Sequence, residues 1–165
     1  MDLPVLRADM AAPEVVVPEG VAAPRGPRLS PDGAVIHPTA VTTQSTFAAW
    51  TEVGEGSRIV NTSFEAYAYC DRFADISNTT VGRFSNIAAM TRIGPTDHPF
   101  THAAQHHFLY RSSYYWDDVE DDADFFAARS ARRTVLGPDC WIGHGAIRAR
   151  GTVGGGVRAR RIRAR

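Results

Sequence analysis

Large apolar residues recur across positions 47–93 with a period of 17. Phe47, Phe64 and Val81 stand one period apart, as do Val53, Cys70 and Ile87, and again Ile59, Ile76 and Ile93. Within each period they step by six, six and five residues. A small or compact residue stands two positions before each: Ser45, Thr51, Ser57, Thr62, Ala68, Ala74, Thr79, Ser85 and Thr91. Gly54, Gly82 and Gly94 directly follow three of the apolar residues. A fixed repeat outranks local propensity in deciding a fold.

Such a repeat predicts an all-β, three-sided parallel solenoid. Each hexad is one short strand and a turn, and residues two apart on a strand share a face. The large residue and its small predecessor therefore both point inward. Three hexads close a triangular coil, and the next coil stacks on it at the usual strand spacing of roughly 4.8 Å. A narrow prism holds one large side chain per side only if the second inward residue is small. Glycine at the corners is expected to supply positive φ. A sandwich of alternating strands would not generate the 17-residue period.

The register extends back to Ile36, with Ala34 two residues before it, so a first coil is expected to start near Gly33. Val41–Ser45 is polar and blurs the pattern. The period stops after Ile93 and resumes at Leu136, preceded by Thr134, and at Ile142, preceded by Cys140. Ala146 then calls for an aliphatic residue at 148, where Arg148 stands. The expected organisation is a disordered Pro/Ala-rich arm over 1–32, coils over 33–94, an excursion over 95–134, a returning coil over 135–147 and an Arg-rich tail over 148–165.

Composition changes this picture at the end of the chain. There is no Lys, and net charge is zero, with 18 Arg against 18 acids. All the acids precede residue 148, and the last 18 residues hold seven Arg. A basic tail of this kind suits nucleic acid or an anionic surface. A GC-rich coding sequence read out of frame also gives Arg/Ala/Gly strings, and we favour that account, so nucleic acid is not an expected partner. Cys70 and Cys140 fall on inward positions, as expected of buried, reduced thiols. No apolar run approaches a membrane span and no signal pattern opens the chain, so a cytoplasmic protein without membrane attachment is expected.

The excursion gathers the chemistry. It holds His98, His102, His106 and His107, four of the six histidines, and eight aromatic residues including Phe100, Tyr110, Trp116 and Phe125. So many aromatics must pack on something, and a neighbouring subunit or a ligand is the expected surface. Asp121–Arg133 reads as a short helix. Long loops on a rigid scaffold are usually functional. His98, in the string TDHPF, is a candidate general base, because an imidazole titrates near working pH. A loop histidine that only hydrogen-bonds its surroundings is the alternative. Three imidazoles could also hold zinc, but His102, His106 and His107 all sit on the excursion and none on a coil face, so no metal is expected.

The hexads, the DHP that opens the excursion and the DCWIGHGA at re-entry resemble the hexapeptide-repeat acyltransferases. They are most similar to the xenobiotic (chloramphenicol) acetyltransferase type, in particular the branch associated with phosphonate-metabolism gene clusters. The likeness covers roughly residues 34–147 and rests on the combination of motifs. It implies a left-handed parallel β-helix, a hand that departs from the usual crossover rule. It further implies a homotrimer with acetyl-CoA in the groove between neighbouring helices and a small-molecule acceptor. By this resemblance His98 takes the proton from the acceptor's hydroxyl or amine. Trp141, Gly143, His144 and Ala146 match the segment whose coil backbone lines the pantetheine groove. After Ile147 the chain departs from the family's Pro-Gly turn and further hexads, which carry much of the coenzyme site. A catalytically dead trimeric scaffold is the alternative expectation.

Overall fold

The computed structural model describes residues 28–156 and the strand Arg158–Ala159. The expected arm lies outside the described residues as far as residue 27. The described part of it, from 28, includes a bridge between Ser30 and Gly33. Sixteen short strands wind into a left-handed parallel β-helix with three faces. The first face stacks β1 (Val35–Ile36), β4 (Glu52–Val53), β7 (Tyr69–Cys70), β10 (Asn86–Ile87), β13 (Trp141–Ile142) and β16 (Arg158–Ala159). The second stacks β2 (Val41–Thr43), β5 (Arg58–Val60), β8 (Asp75–Ser77), β11 (Arg92–Ile93) and β14 (Ile147–Arg148). The third stacks β3 (Thr46–Phe47), β6 (Ser63–Phe64), β9 (Thr79–Val81), β12 (Thr134–Leu136) and β15 (Thr152–Val153).

The pairing register is the sequence period itself. Val53 lies opposite Cys70, Ile59 opposite Ile76 and Phe64 opposite Val81. Across the excursion Ile87 still pairs with Ile142 and Val81 with Leu136. Ile59, Ile76, Ile87, Ile93 and Ile142 are completely buried. A one-residue slip would turn this apolar file outward, so burial fixes the register.

The small inward residues do more than save space. Ser57 Oγ donates to the carbonyl of Asp71 and accepts from the N–H of Ala74 in the next coil. Thr62 Oγ1 donates to Val60 O and accepts from Thr79 N–H. Ser85 repeats the bridge to Gly137 O and Cys140 N–H. Each hydroxyl thus ties one coil's corner to the next and satisfies backbone groups that strands this short leave over. Serine and threonine recur at these sites for hydrogen bonding as well as for size.

The corners correct the glycine expectation. Of Gly54, Gly82 and Gly94, only Gly94 has positive φ (64°). Gly54 and Gly82 are small because a Cβ there would stand 2.6 Å from the backbone of the adjoining coil. The left-handed position falls elsewhere in the turn, on Trp50, Tyr67 and Phe84 at one corner and on Gly56, Phe73, Met90 and Gly145 at another. Bulky residues accept this conformation because their neighbours repeat it. Trp50 stacks on Tyr67 at 5.8 Å and Tyr67 on Phe84 at 5.1 Å, with rings within 14° of parallel.

The winding continues past Ile147, where the sequence pattern suggested that it ends. Arg148 takes the position opposite Ile93, and Thr152–Val153 pairs with Val135–Leu136, leaving Val153 buried. Backbone pairing carries the coil forward although the aliphatic residue is missing. The cost shows at Arg148, whose Nε is buried without a hydrogen-bond partner, while its Nη2 reaches Thr152 O at 3.3 Å.

Cys70 and Cys140 are buried and free. Burial pushes the Cys70 thiol up from 9.0 to about 11. Between those values the unfolded chain loses the thiol proton while the folded chain keeps it, so stability should fall with rising pH. The expected slope is about 1.4 kcal/mol per pH unit above pH 9, with no contribution below it. Urea unfolding from pH 8 to 10 checks this. The slope should be shallower in Cys70→Ala, and equal slopes in the two proteins would contradict the assignment.

Candidate functional site

The excursion leaves and rejoins the helix at one corner. At Gly94 a Cβ would strike the carbonyl of Ser77, and the N–H of Thr134 bonds to Asn78 O at 2.9 Å. Between these points lie 3-10 turns at His107–Leu109 and Ser112–Tyr114, and a helix, α1, at Ala123–Ala131. Asp122 caps its N-terminus by accepting from Phe125 N–H at 2.8 Å, as an N-cap aspartate does. Asn78 Nδ2 donates to the carbonyls of Arg129 and Ser130 at its other end. Arg133 then donates to Thr80 Oγ1 and Thr79 O, both at 2.8 Å. A coil asparagine and the outward hydroxyl of a strand therefore set where the helix ends.

The aromatics divide into two groups. Tyr110 is buried against Phe125 at 4.6 Å and Phe126 at 6.0 Å. These rings pack on their own segment. Phe100, Tyr114, Tyr115 and Trp116 remain exposed.

His98 sits at the mouth of a cavity of about 610 Å³ between the excursion and the second face of the helix. Its Nδ1 lies 2.9 Å from the carbonyl oxygen of Gln105 and 3.2 Å from the hydroxyl of Tyr110. A carbonyl can only accept, so Nδ1 carries a proton, and in the neutral ring the lone pair is then on Nε2. The ring is edge-on to Tyr110. This arrangement holds an exposed imidazole with its basic nitrogen free, the geometry a general base needs.

The other histidines have local partners. His107 contacts the hydroxyl of Tyr115 at 3.1 Å and stacks on His106 at 4.6 Å. His102 lies 3.6 Å from Asp122. Among the described residues no group of three His, Cys, Asp or Glu could hold a metal ion.

Six arginines line the cavity: Arg58, Arg92, Arg111, Arg129, Arg132 and Arg150. Asp75 pairs with Arg58 at 3.4 Å and with Arg92, and Asp97 pairs with Arg132 at 3.5 Å and with Arg150. Arg111 and Arg129 have no carboxylate partner among the described residues. They lie over aromatic rings instead, Arg111 at 4.7 Å and Arg129 at 5.4 Å from Phe126. Burial, and then Arg111, hold the Arg129 guanidinium below its ordinary value; burial, and then Arg58, do the same to Arg92. Sequence inspection did not single out these arginines. A signal existed, because Arg58, Asp75 and Arg92 occupy outward positions one period apart and form an ion-pair ladder.

The residues matched to the coenzyme segment lie elsewhere. Trp141 is exposed on the first face, His144 is exposed in the following turn, and Gly143 and Ala146 are buried. None of the four lines the cavity that His98 shares. No protein-family model matches the chain, and no curated protein matches it either. No helix among the described residues is long and apolar enough to cross a membrane.

Proposed function

We propose that this chain is an acetyl-CoA-dependent acetyltransferase that modifies a hydroxyl or amine of a small molecule and works as a homotrimer. The observation that carries the reading is His98, which lines a polar cavity and is held through Nδ1 by a backbone carbonyl, with no hydrogen-bond partner at Nε2 among the described residues. The acceptor's hydroxyl or amine gives its proton to Nε2, and the exposed lone pair attacks the acetyl carbon. The bond between the acetyl carbon and the sulfur of acetyl-CoA breaks as the new bond to oxygen or nitrogen is made, the imidazolium returns its proton to the leaving thiolate, and free coenzyme A is the second product. Tyr110 supports the ring of His98 and is itself positioned by Phe125.

On the coenzyme side, the exposed indole of Trp141 and the turn at Gly143–Gly145, whose one side chain is the exposed His144, offer a ledge beside the first face. That fits a long, amide-bearing pantetheine chain, and a second helix placed alongside would close the groove. His144 stands at its edge. Ala146 faces the core and contributes only backbone. A second reading, a trimeric scaffold without activity, draws on Arg148, whose guanidinium occupies an inward position of the last coils.

Calorimetry with acetyl-CoA decides between the two. Binding in the micromolar range, with release of free coenzyme A in the presence of an acceptor, is the expected result. Absence of binding by a folded trimer would leave the scaffold.

A further inference from the structure

The cavity beside His98 carries more positive charge than the described residues neutralise. Six guanidinium groups face two carboxylates, and no lining residue is an acid. The two carboxylates each serve a pair of arginines, so Arg111 and Arg129 are left over. Their planes rest on the rings of Tyr114, Phe125 and Phe126. Stacking occupies the face of a guanidinium and leaves its N–H edge able to donate; Arg111 Nη1 already donates to the Tyr114 hydroxyl at 3.0 Å, and its other N–H groups remain. Arg150 adds a buried Nη2 with no hydrogen-bond partner among the described residues.

Like charges crowded in a partly desolvated space repel one another, and an unpartnered buried donor costs on the order of 1–3 kcal/mol or more. A fold can carry both together where an anion joins them. The fork of a guanidinium matches a tetrahedral oxyanion in two hydrogen bonds at once. Such side chains line the cavity from three directions, a coil face, the 3-10 turns and the end of α1, and none of the lining residues is an acid.

We propose that this cavity binds a phosphate-class oxyanion, and that the anion is a group carried by the acceptor. The second half of the statement rests on the acetyltransferase reading. The cavity is larger than an inorganic phosphate fills, which leaves room for a small organic body reaching His98. The coenzyme's own phosphates are the other source of the same chemistry. His98 lines this cavity and Trp141, Gly143, His144 and Ala146 do not, which assigns the site to the acceptor.

The test is calorimetric titration of the full chain with inorganic phosphate, in a phosphate-free buffer, with and without saturating acetyl-CoA. Saturable binding that weakens with added salt is expected, and no saturable heat in the wild-type protein would overturn the site. Arg129→Gln and Arg111→Gln should each weaken phosphate at least tenfold, while Arg72→Gln, whose exposed side chain lies outside the cavity, should leave it unchanged. Circular dichroism confirms that each variant is folded, and equal weakening by all three would overturn the site. Undiminished phosphate affinity beside bound acetyl-CoA supports the acceptor assignment, and displacement by acetyl-CoA overturns it. Phosphate binding in a chain that never binds acetyl-CoA keeps the oxyanion site and removes the acetyltransferase reading, so the two failures are distinct.

Discussion

Replacing His98 with Ala is expected to lower the rate of acetyl transfer by about 10²–10⁴-fold, the usual contribution of a general base. The effect should appear in kcat, with the affinity for acetyl-CoA little changed, because the matched coenzyme residues lie on another face. The fold should survive. His98 is exposed, and its Nδ1 contacts are confined to the excursion, to Gln105 O and the hydroxyl of Tyr110. Tyr110→Phe separates support from chemistry. It removes the contact at 3.2 Å while the Gln105 carbonyl still fixes the tautomer, so a much smaller loss is expected than from removing the imidazole. Steady-state release of free coenzyme A measures both variants. An unchanged rate in His98→Ala would take the imidazole out of the mechanism.

Ile76→Ala is expected to destabilise the chain by about 2–5 kcal/mol. Ile76 is fully buried and lies between Ile59 and Ile93 on the second face. Its neighbours are held in register by their own coils, so they cannot collapse into the space left behind, and the cavity term is kept nearly whole. Against a typical net stability of 5–15 kcal/mol this is a large loss. Ile147→Ala is the control, since that side chain is 59% exposed; a change within about 0.5 kcal/mol is expected there. Urea denaturation gives both values. Equal midpoints for the two variants would mean that the inward file does not hold the coils together.

The helical winding was legible because a solenoid turns fold into counting. Ile59, Ile76 and Ile93 can be recognised as one stack without any knowledge of the turns between them. The break at Arg148 misled for the same reason: counting tracks side chains, whereas the coil there is carried by backbone pairing to Arg92 and Ile93. Gly54 and Gly82 were located correctly and explained wrongly, whereas Gly94 has the expected positive φ; close coil approach and positive φ leave the same residue in a sequence. At the site, His98 stood out through its motif. The arginines did not, because Arg111, Arg129 and Arg132 belong to an aperiodic segment whose path depends on contacts such as Asn78 with the end of α1. The outward ladder of Arg58, Asp75 and Arg92 on the strands, and the corner ladders of Asn61 and Asn78 and of Trp50, Tyr67 and Phe84, were accessible to the same count, applied to the outward and turn positions.

The long detour starts against Ser77 and finishes on Asn78, adjacent residues of one corner. The prism consequently registers two anchor points and nothing of the path between them, and β12 pairs with β9 as though no residues had intervened. Such a plug-in segment can be lengthened, shortened or exchanged in evolution while the supporting framework stays as it is. New site chemistry could then arise by swapping one module, with no need to rebuild the body that carries it.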